Sequence, residues 1–291
     1  AGGGDALHLY NVQTGMPVKH LMSKKYGVAC VRFTHHPNAL IYASQPQGPA
    51  GSAEDAARDH ALRYHSLYDN TYLRYFQGHT DQVLDISLSP VSDTVVSSSR
   101  DKSIRLWDLR TSVCQAFLQL GHVPCAAFDC EGLVFAVGLE GGVIKLYDVK
   151  NLGKGPFSTF VVPKEARTAT FSSLKFSPDT QHLLAVAEGR VHVLDAFTGK
   201  TEVSFSSGVQ EGGQALEAAF SPDGAYVISG CADRSLRTWK VPVKGEGGHL
   251  VSKWEGHAGV PECVRWSPRK ILAASACHAV CLWVPGKVPR E

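Results

Sequence analysis

A chain of 291 residues with 44% apolar and 19% charged residues can bury a sizeable core and is not composed like a disordered segment. Its formal net charge is only +2, with Lys and Arg scattered, which argues against a nucleic-acid groove as its main business. No apolar run reaches the roughly 18 to 20 residues that a membrane-spanning helix needs.

One pattern recurs along the chain: apolar, x, apolar, aromatic, then Asp or a similar residue. In order it is centred on Tyr10 in "LHLYNV", His65 in "LRYHSL", Trp107 in "IRLWDL", Tyr147 in "IKLYDV", Leu194 in "VHVLDA", Trp239 in "LRTWKV" and Trp283 in "VCLWVP". Successive intervals are 55, 42, 40, 47, 45 and 44 residues. Between these points lie short alternating runs such as "VLDISLS" and "TVVSSS", broken by "SPVSD", "SPDT" and "SPDG" turns. Alternation with turn signals predicts antiparallel strands and almost no helix. A period of about 40 to 45 residues with four strands in each is that of WD repeats. Gly78-His79, Gly121-His122 and Gly256-His257 stand where such repeats open. The expected fold is therefore all-β, a seven-bladed WD-repeat β-propeller, with residues 1–291 forming a single domain.

In a WD-repeat blade, the resemblance implies, a loop His, a second-strand Ser, a turn Asp and a third-strand Trp form one hydrogen-bonded chain. Here these are His79, Ser97, Asp101 and Trp107. The chemistry is sound, because a buried Asp needs donors and a packed indole N–H needs an acceptor. Ser, His and Asp also make a hydrolase triad, but Ser97 lies mid-strand with no G-x-S-x-G around it. The set is expected to be structural, with no catalytic residue in the chain. The other repeats depart from it: Gly141 stands where the fourth would have its Asp, the seventh has too short a turn, and the sixth has Ser229, Asp233 and Trp239 but no His. Most of the eight cysteines sit in apolar runs and read as small buried hydrophobes. "CHAVC", Cys277 to Cys281, offers two thiols and His278, yet no CxxC pair completes a tetrahedral site, so neither metal nor cofactor is expected.

Several stretches exceed what a repeat requires: "SKKYGV" at Ser23 to Val28, "LRYHSLYDNTYLRYFQGH", "KGPFSTF", "VLDAFTGK" and "ASACHAVCLWVP". From about Leu9 to Pro285 their combination resembles the WD-repeat subunit of COMPASS-type histone lysine methyltransferase complexes. That resemblance implies a non-enzymatic nuclear scaffold that binds a short segment of the methyltransferase catalytic subunit. It also implies membership of a phosphatase-containing complex acting at transcription termination and, in fungi, of the cleavage and polyadenylation machinery. Protein partners are expected rather than a small-molecule substrate, a membrane or nucleic acid. Aligning the "SP" turns puts Gln82 and Leu84, Thr170 and Ser172, Gln214 and Leu216, and Val260 and Glu262 at matching positions at the mouths of their blades. With Tyr26 and Arg100 they are expected to ring a central opening and contact the partner. Lys24 and Lys25, beside Tyr26, read as solvated loop lysines.

An alternative uses the opposite face. Trp107-Asp108-Leu109-Arg110 matches the WD-x-R motif of propellers that serve as substrate receptors of cullin-type ubiquitin ligases, with Asp108 and Arg110 as the docking residues. The chain departs from the family pattern in two places. Residues 44–60, "SQPQGPAGSAEDAARDH", read as a flexible insertion between the second and third strands of blade two. Ala6 to Asn11 and Met16 to Met22 match a third and a fourth strand, so the first blade is expected without its first two strands and the last without its closing strand.

Overall fold

The computed structural model describes residues 2–45, 60–162, 170–187, 189–207, 216–242, 248–268 and 270–284. Within them the alternating runs pair with their chain neighbours into seven sheets. The second sheet runs from Ala29–Phe33 to Thr71–Phe76, the third from Val83–Leu88 to Cys114–Gln119 and the fourth from Cys125–Phe128 to Ser158–Val161. The fifth runs from Phe171–Phe176 to Thr201–Ser206 and the sixth from Ala218–Phe220 to Leu250–Trp254. These five have four strands each, whereas the first and last have three. Among the described residues the one helical element is the 3-10 turn Leu152–Lys154.

The first sheet corrects the expectation of two strands. Gly2–Gly3 pairs antiparallel with Ala6 and Leu7, beside Ala6–Tyr10 and Pro17–Met22. Two glycines carry no side-chain alternation, so the pairing has no signature in the sequence. The last sheet comprises Cys263–Trp266, Ala273–Ala276 and Val280–Trp283. The proposed insertion falls between Ala39–Ala43 and Leu62–Ser66, whose ends meet at the pair Ala43↔Leu62. Residues 46–59 of it lie outside the described residues.

The chain divides into two compact units, residues 1–140 with 144–159, and residues 141–143 with 160–291. In the first, Ile41, Leu62 and Phe76 of the second sheet pack against Val83, Ile86, Val95 and Trp107 of the third. In the second unit, Leu184, Val191 and Phe205 of the fifth sheet pack against Phe220, Val227 and Trp239 of the sixth. Ile228 and Leu236 of the sixth in turn meet Val264 and Ala273 of the seventh. Sheets covered on both faces explain the burial gradient across each. Thr94–Ser99 is buried along nearly its whole length, whereas Cys114–Gln119, the fourth strand of the same sheet, alternates half-buried and exposed. Of the three successive buried serines in the second strand, Ser97 bonds to His79 and Trp107 and Ser99 donates to Asp81 O, whereas the Ser98 hydroxyl is buried without a partner among the described residues.

Candidate partner-binding surface and the buried tetrads

Asp101 and Lys102 make the turn from Thr94–Ser99 into Ser103–Asp108, with Lys102 at φ 64°. Arg234 at φ 64° repeats this beside Asp233, and in the fourth sheet Gly141 and Gly142 have φ 86° and 73°. The turn brings the four expected residues together. Trp107 Nε1–H donates to Ser97 Oγ at 2.9 Å, and Ser97 Oγ lies 2.7 Å from His79 Nε2. His79 Nδ1 lies 2.9 Å from Asp101 Oδ2, and Ser103 Oγ donates to Asp101 Oδ1 at 2.6 Å. Only one proton arrangement satisfies every group: Trp N–H to Ser, Ser O–H to His Nε2, His Nδ1–H to Asp. Burial pushes the His79 pKa down, so the imidazole is neutral. Burial also works against ionising Asp101, but bonds from His79, Ser103 and the Thr80 N–H outweigh it and hold the carboxyl well below the usual carboxylate range. Ser97 is fully buried with its oxygen between Trp107 and His79, so it is held as a link and has no open face for a substrate.

A second tetrad, which the sequence pattern does not reveal, sits in the seventh sheet. Trp283 Nε1–H donates to Ser275 Oγ at 2.7 Å, and His257 Nε2 lies 2.6 Å from that oxygen. The turn is indeed too short for an Asp, but Cys277 Sγ takes the carboxylate's place, 3.2 Å from His257 Nδ1. His122 finds a different partner, Glu140 at 2.8 Å, with both side chains about half exposed.

The mouth positions divide by what their atoms already do. In the first unit, Val83↔Ser99 is followed by Asp85↔Ser98, so Leu84 is an extra, bulged residue. Its carbonyl accepts the Cys30 thiol at 3.0 Å. Gln82 O accepts the Arg100 amide at 2.9 Å, and the Arg100 side chain is exposed. In the second unit Ser172 is the bulged residue, and its hydroxyl donates to Leu216 O at 2.8 Å. Glu217 N–H then donates to Glu262 O at 3.0 Å. The Cys30–Leu84, Ser172–Leu216 and Glu217–Glu262 links each join one sheet to the next inside a unit, whereas Gln82–Arg100 closes the third sheet on itself. Leu216 departs from the expected rim role: it is 3% exposed and lies in the core cluster, against which the half-buried Val260 packs. Thr170 and Glu262 are exposed, and Gln214 lies outside the described residues.

Ion pairs missed by pattern reading reinforce the same joints. Arg32 Nη2 meets Asp85 Oδ1 at 2.8 Å, and Arg265 Nη2 meets Glu217 Oε1 at 2.8 Å. Arg32 and Asp85 are 23% and 20% exposed, so solvent screens them only in part. A double-mutant cycle on this pair is expected to give a coupling of about 0.5–1 kcal/mol in thermal or urea unfolding. A coupling of zero would make the contact incidental.

The loop Ser23–Val28 is built around glycine. Gly27 has φ +64°, and a Cβ there would come within 2.0 Å of the Gln45 carbonyl oxygen. Tyr26, half-buried, lies over the Arg63 guanidinium at 3.4 Å from ring centroid to Cζ. Arg63 is 2% exposed, donates Nε–H to Ser44 Oγ at 2.8 Å and has the Tyr75 and Tyr72 rings at 5.2 and 5.8 Å. Lys25 Nζ stands 5.0 Å from the Tyr26 ring, and Lys24 is exposed. At the other end of Ser103–Asp108, Arg110 folds back on Asp108 through Nη2 at 2.7 Å and Nε at 3.0 Å, with 76% of its side chain exposed.

Comparison with known proteins extends this picture. The family model of the WD domain, G-beta repeat matches residues 70–108 and 213–240. The chain is 39% identical over 283 residues to WD repeat-containing protein 82 of Drosophila melanogaster, covering 97% of this chain and 84% of that protein. It is 34% identical over 241 residues to the COMPASS component SWD2 of Saccharomyces cerevisiae, covering 81% and 70%. A chain in the crystal structure of the mitotic checkpoint complex superposes with a TM-score of 0.76 over 96% of this chain and 81% of that one, at 18% identity, a likeness of fold alone.

Proposed function

Because the chain belongs to the WD-repeat β-propeller family that includes WD repeat-containing protein 82 and the COMPASS component SWD2, we propose that it is a non-enzymatic adaptor of a nuclear chromatin-modifying complex. In this reading its seven sheets are the seven blades of one propeller domain. It binds a short segment of a histone lysine methyltransferase and links that enzyme to RNA polymerase II transcription or its termination. A phosphatase-regulatory or polyadenylation-factor subunit would be a second protein partner. The observation that carries the reading is the identity to both relatives along most of the chain. The burial of His79 and Ser97 supports it, because that triad-like set is consumed in holding a sheet together.

The contacting groups we propose are Tyr26, Gln82, Arg100, Thr170 and Glu262, whose side chains retain exposed or partly exposed surface. Leu84, Ser172 and Val260 would contribute through the backbone and partly covered side chains around them. Rim residues of this kind act through a few anchors rather than uniformly. The test is capture of a histone lysine methyltransferase from nuclear extract by immobilised protein, with the bound partners identified by mass spectrometry. Tyr26→Ala, Arg100→Glu and Glu262→Lys are expected to weaken that capture at least about tenfold, the scale of one lost hot spot. Arg110→Ala is expected to leave it unchanged. If Arg110→Ala alone removes the dominant partners, with ligase adaptors among them, the ubiquitin-ligase reading replaces this one.

A further inference from the structure

The seventh-sheet tetrad differs from that of the third in a chemically consequential way. At the position where Asp101 accepts from His79, a sulfur faces His257. The hydrogen-bond logic carries over. Trp283 N–H donates to Ser275, and Ser275 donates to His257 Nε2, which leaves the Nδ1 proton directed at Cys277 Sγ. An acceptor at that point is best served by a thiolate, just as the third sheet uses a carboxylate. Cys281 Sγ lies 3.8 Å from the same nitrogen, so the two sulfurs cannot be further apart than their two distances to His257 laid end to end. Cys281 belongs to Val280–Trp283, the strand that follows the Cys277 turn, and both cysteines are partly exposed.

We propose that Cys277 is a hydroperoxide-reactive modification site, with His257 orienting its thiolate and Cys281 as the resolving thiol. The thiolate attacks the distal peroxide oxygen. An S–O bond forms, the O–O bond breaks, and the departing alkoxide or hydroxide takes a proton from water. Sulfur is oxidised by two electrons and the peroxide is reduced. The Cys281 thiol then attacks the Cys277 sulfenic acid, an S–S bond forms, and the hydroxyl leaves with the Cys281 proton as water. The electrostatics agree with this division of roles. The Ala279 amide, aided by those of Gly259 and His278, holds the Cys277 thiol below its ordinary range although burial works the other way. Burial pushes the Cys281 thiol up. Oxidation replaces the charged acceptor that His257 Nδ1–H uses with a neutral, weaker one, so the modification acts on the Trp283 tether of this sheet.

The experiment uses the whole chain, folded and reduced. Limiting iodoacetamide at pH 7, followed by peptide mapping, is expected to label Cys277 at least about threefold faster than the exposed Cys263, since a larger thiolate fraction is only partly offset by lower nucleophilicity. One equivalent of hydrogen peroxide is expected to join Cys277 and Cys281 in a bond that a thiol reductant reverses. Cys281→Ser is expected to leave a sulfenic acid on Cys277 that dimedone traps. Cys281→Ser replaces a partly exposed sulfur with oxygen, and its folding is checked by thermal melting. If Cys277 is labelled no faster than Cys263, or if peroxide gives neither the disulfide in the parent chain nor the dimedone adduct in Cys281→Ser, the proposal is overturned.

Discussion

Asp101→Ala lowers the melting temperature by about 2–12 °C. The carboxylate accepts from His79, from Ser103 and from the Thr80 N–H, and its side chain is only 8% exposed. Deleting it strands donors inside the third sheet, which costs about 1–3 kcal/mol. A chain of this size shifts by roughly 2–4 °C for each kcal/mol. The same variant alters the acid limb of the stability profile. Asp101 is depressed in the folded state, so its contribution is present above the ordinary aspartate value near pH 4 and is lost as the pH falls below it. His79 is also depressed, so folding resists its protonation and stability declines as the pH falls through the ordinary imidazole value of about 6.5. Both effects have the same sign. The variant is therefore expected to keep a decline near pH 6 and to lose less than the parent between about pH 4 and pH 2. Calorimetric melts across that range check this. An unchanged melting temperature at pH 7 would show that the tetrad does not hold the sheet.

Arg63→Ala has the larger effect, a loss of about 2–4 kcal/mol. The side chain is among the largest fully buried ones, so truncation opens a cavity, and it removes the cation against which Tyr26, Tyr72 and Tyr75 pack. Burial already pushes its pKa down, but an arginine remains charged far above neutrality. Arg63→Lys is expected to recover less than half of the loss, because an ammonium cannot reproduce the planar stack under Tyr26 while keeping the Nε bond to Ser44. Urea unfolding of both variants measures the difference. Full rescue by lysine would mean that charge alone matters at this position.

The repeat was legible because its cues are local. Alternating runs predict strands, the regular intervals of the repeated pattern predict one sheet each, and His79, Ser97, Asp101 and Trp107 stand at spacings that the turn brings together. What escaped depends on facts no local pattern contains. Cys277 assumes the role of Asp101 only because the shortened turn brings a sulfur within reach of His257. Leu216 shares its aligned position with Leu84, but Leu84 sits in a bulge whereas Leu216 lies ahead of the strand Ala218–Phe220, and the core takes it. Arg63 reads in sequence as an ordinary charged strand residue. Its burial follows from aromatic rings contributed by residues 26, 72 and 75, two of them on a strand and one in a distant loop.

The burial gradient across the sheets also divides the chain by how freely it can be altered. In Thr94–Ser99 nearly every side chain is enclosed, so a change of one methyl group is felt by a neighbouring sheet. In Cys114–Gln119 alternate side chains meet water, and the same is true of Thr71–Phe76 and Thr201–Ser206. The outward positions of these fourth strands can drift between relatives, or accept a fluorophore or an affinity handle, without reaching the inner joints. Substitutions that cost stability are thus concentrated in the enclosed strands, and a label for following partner binding is best attached at an outward fourth-strand position such as Gln115.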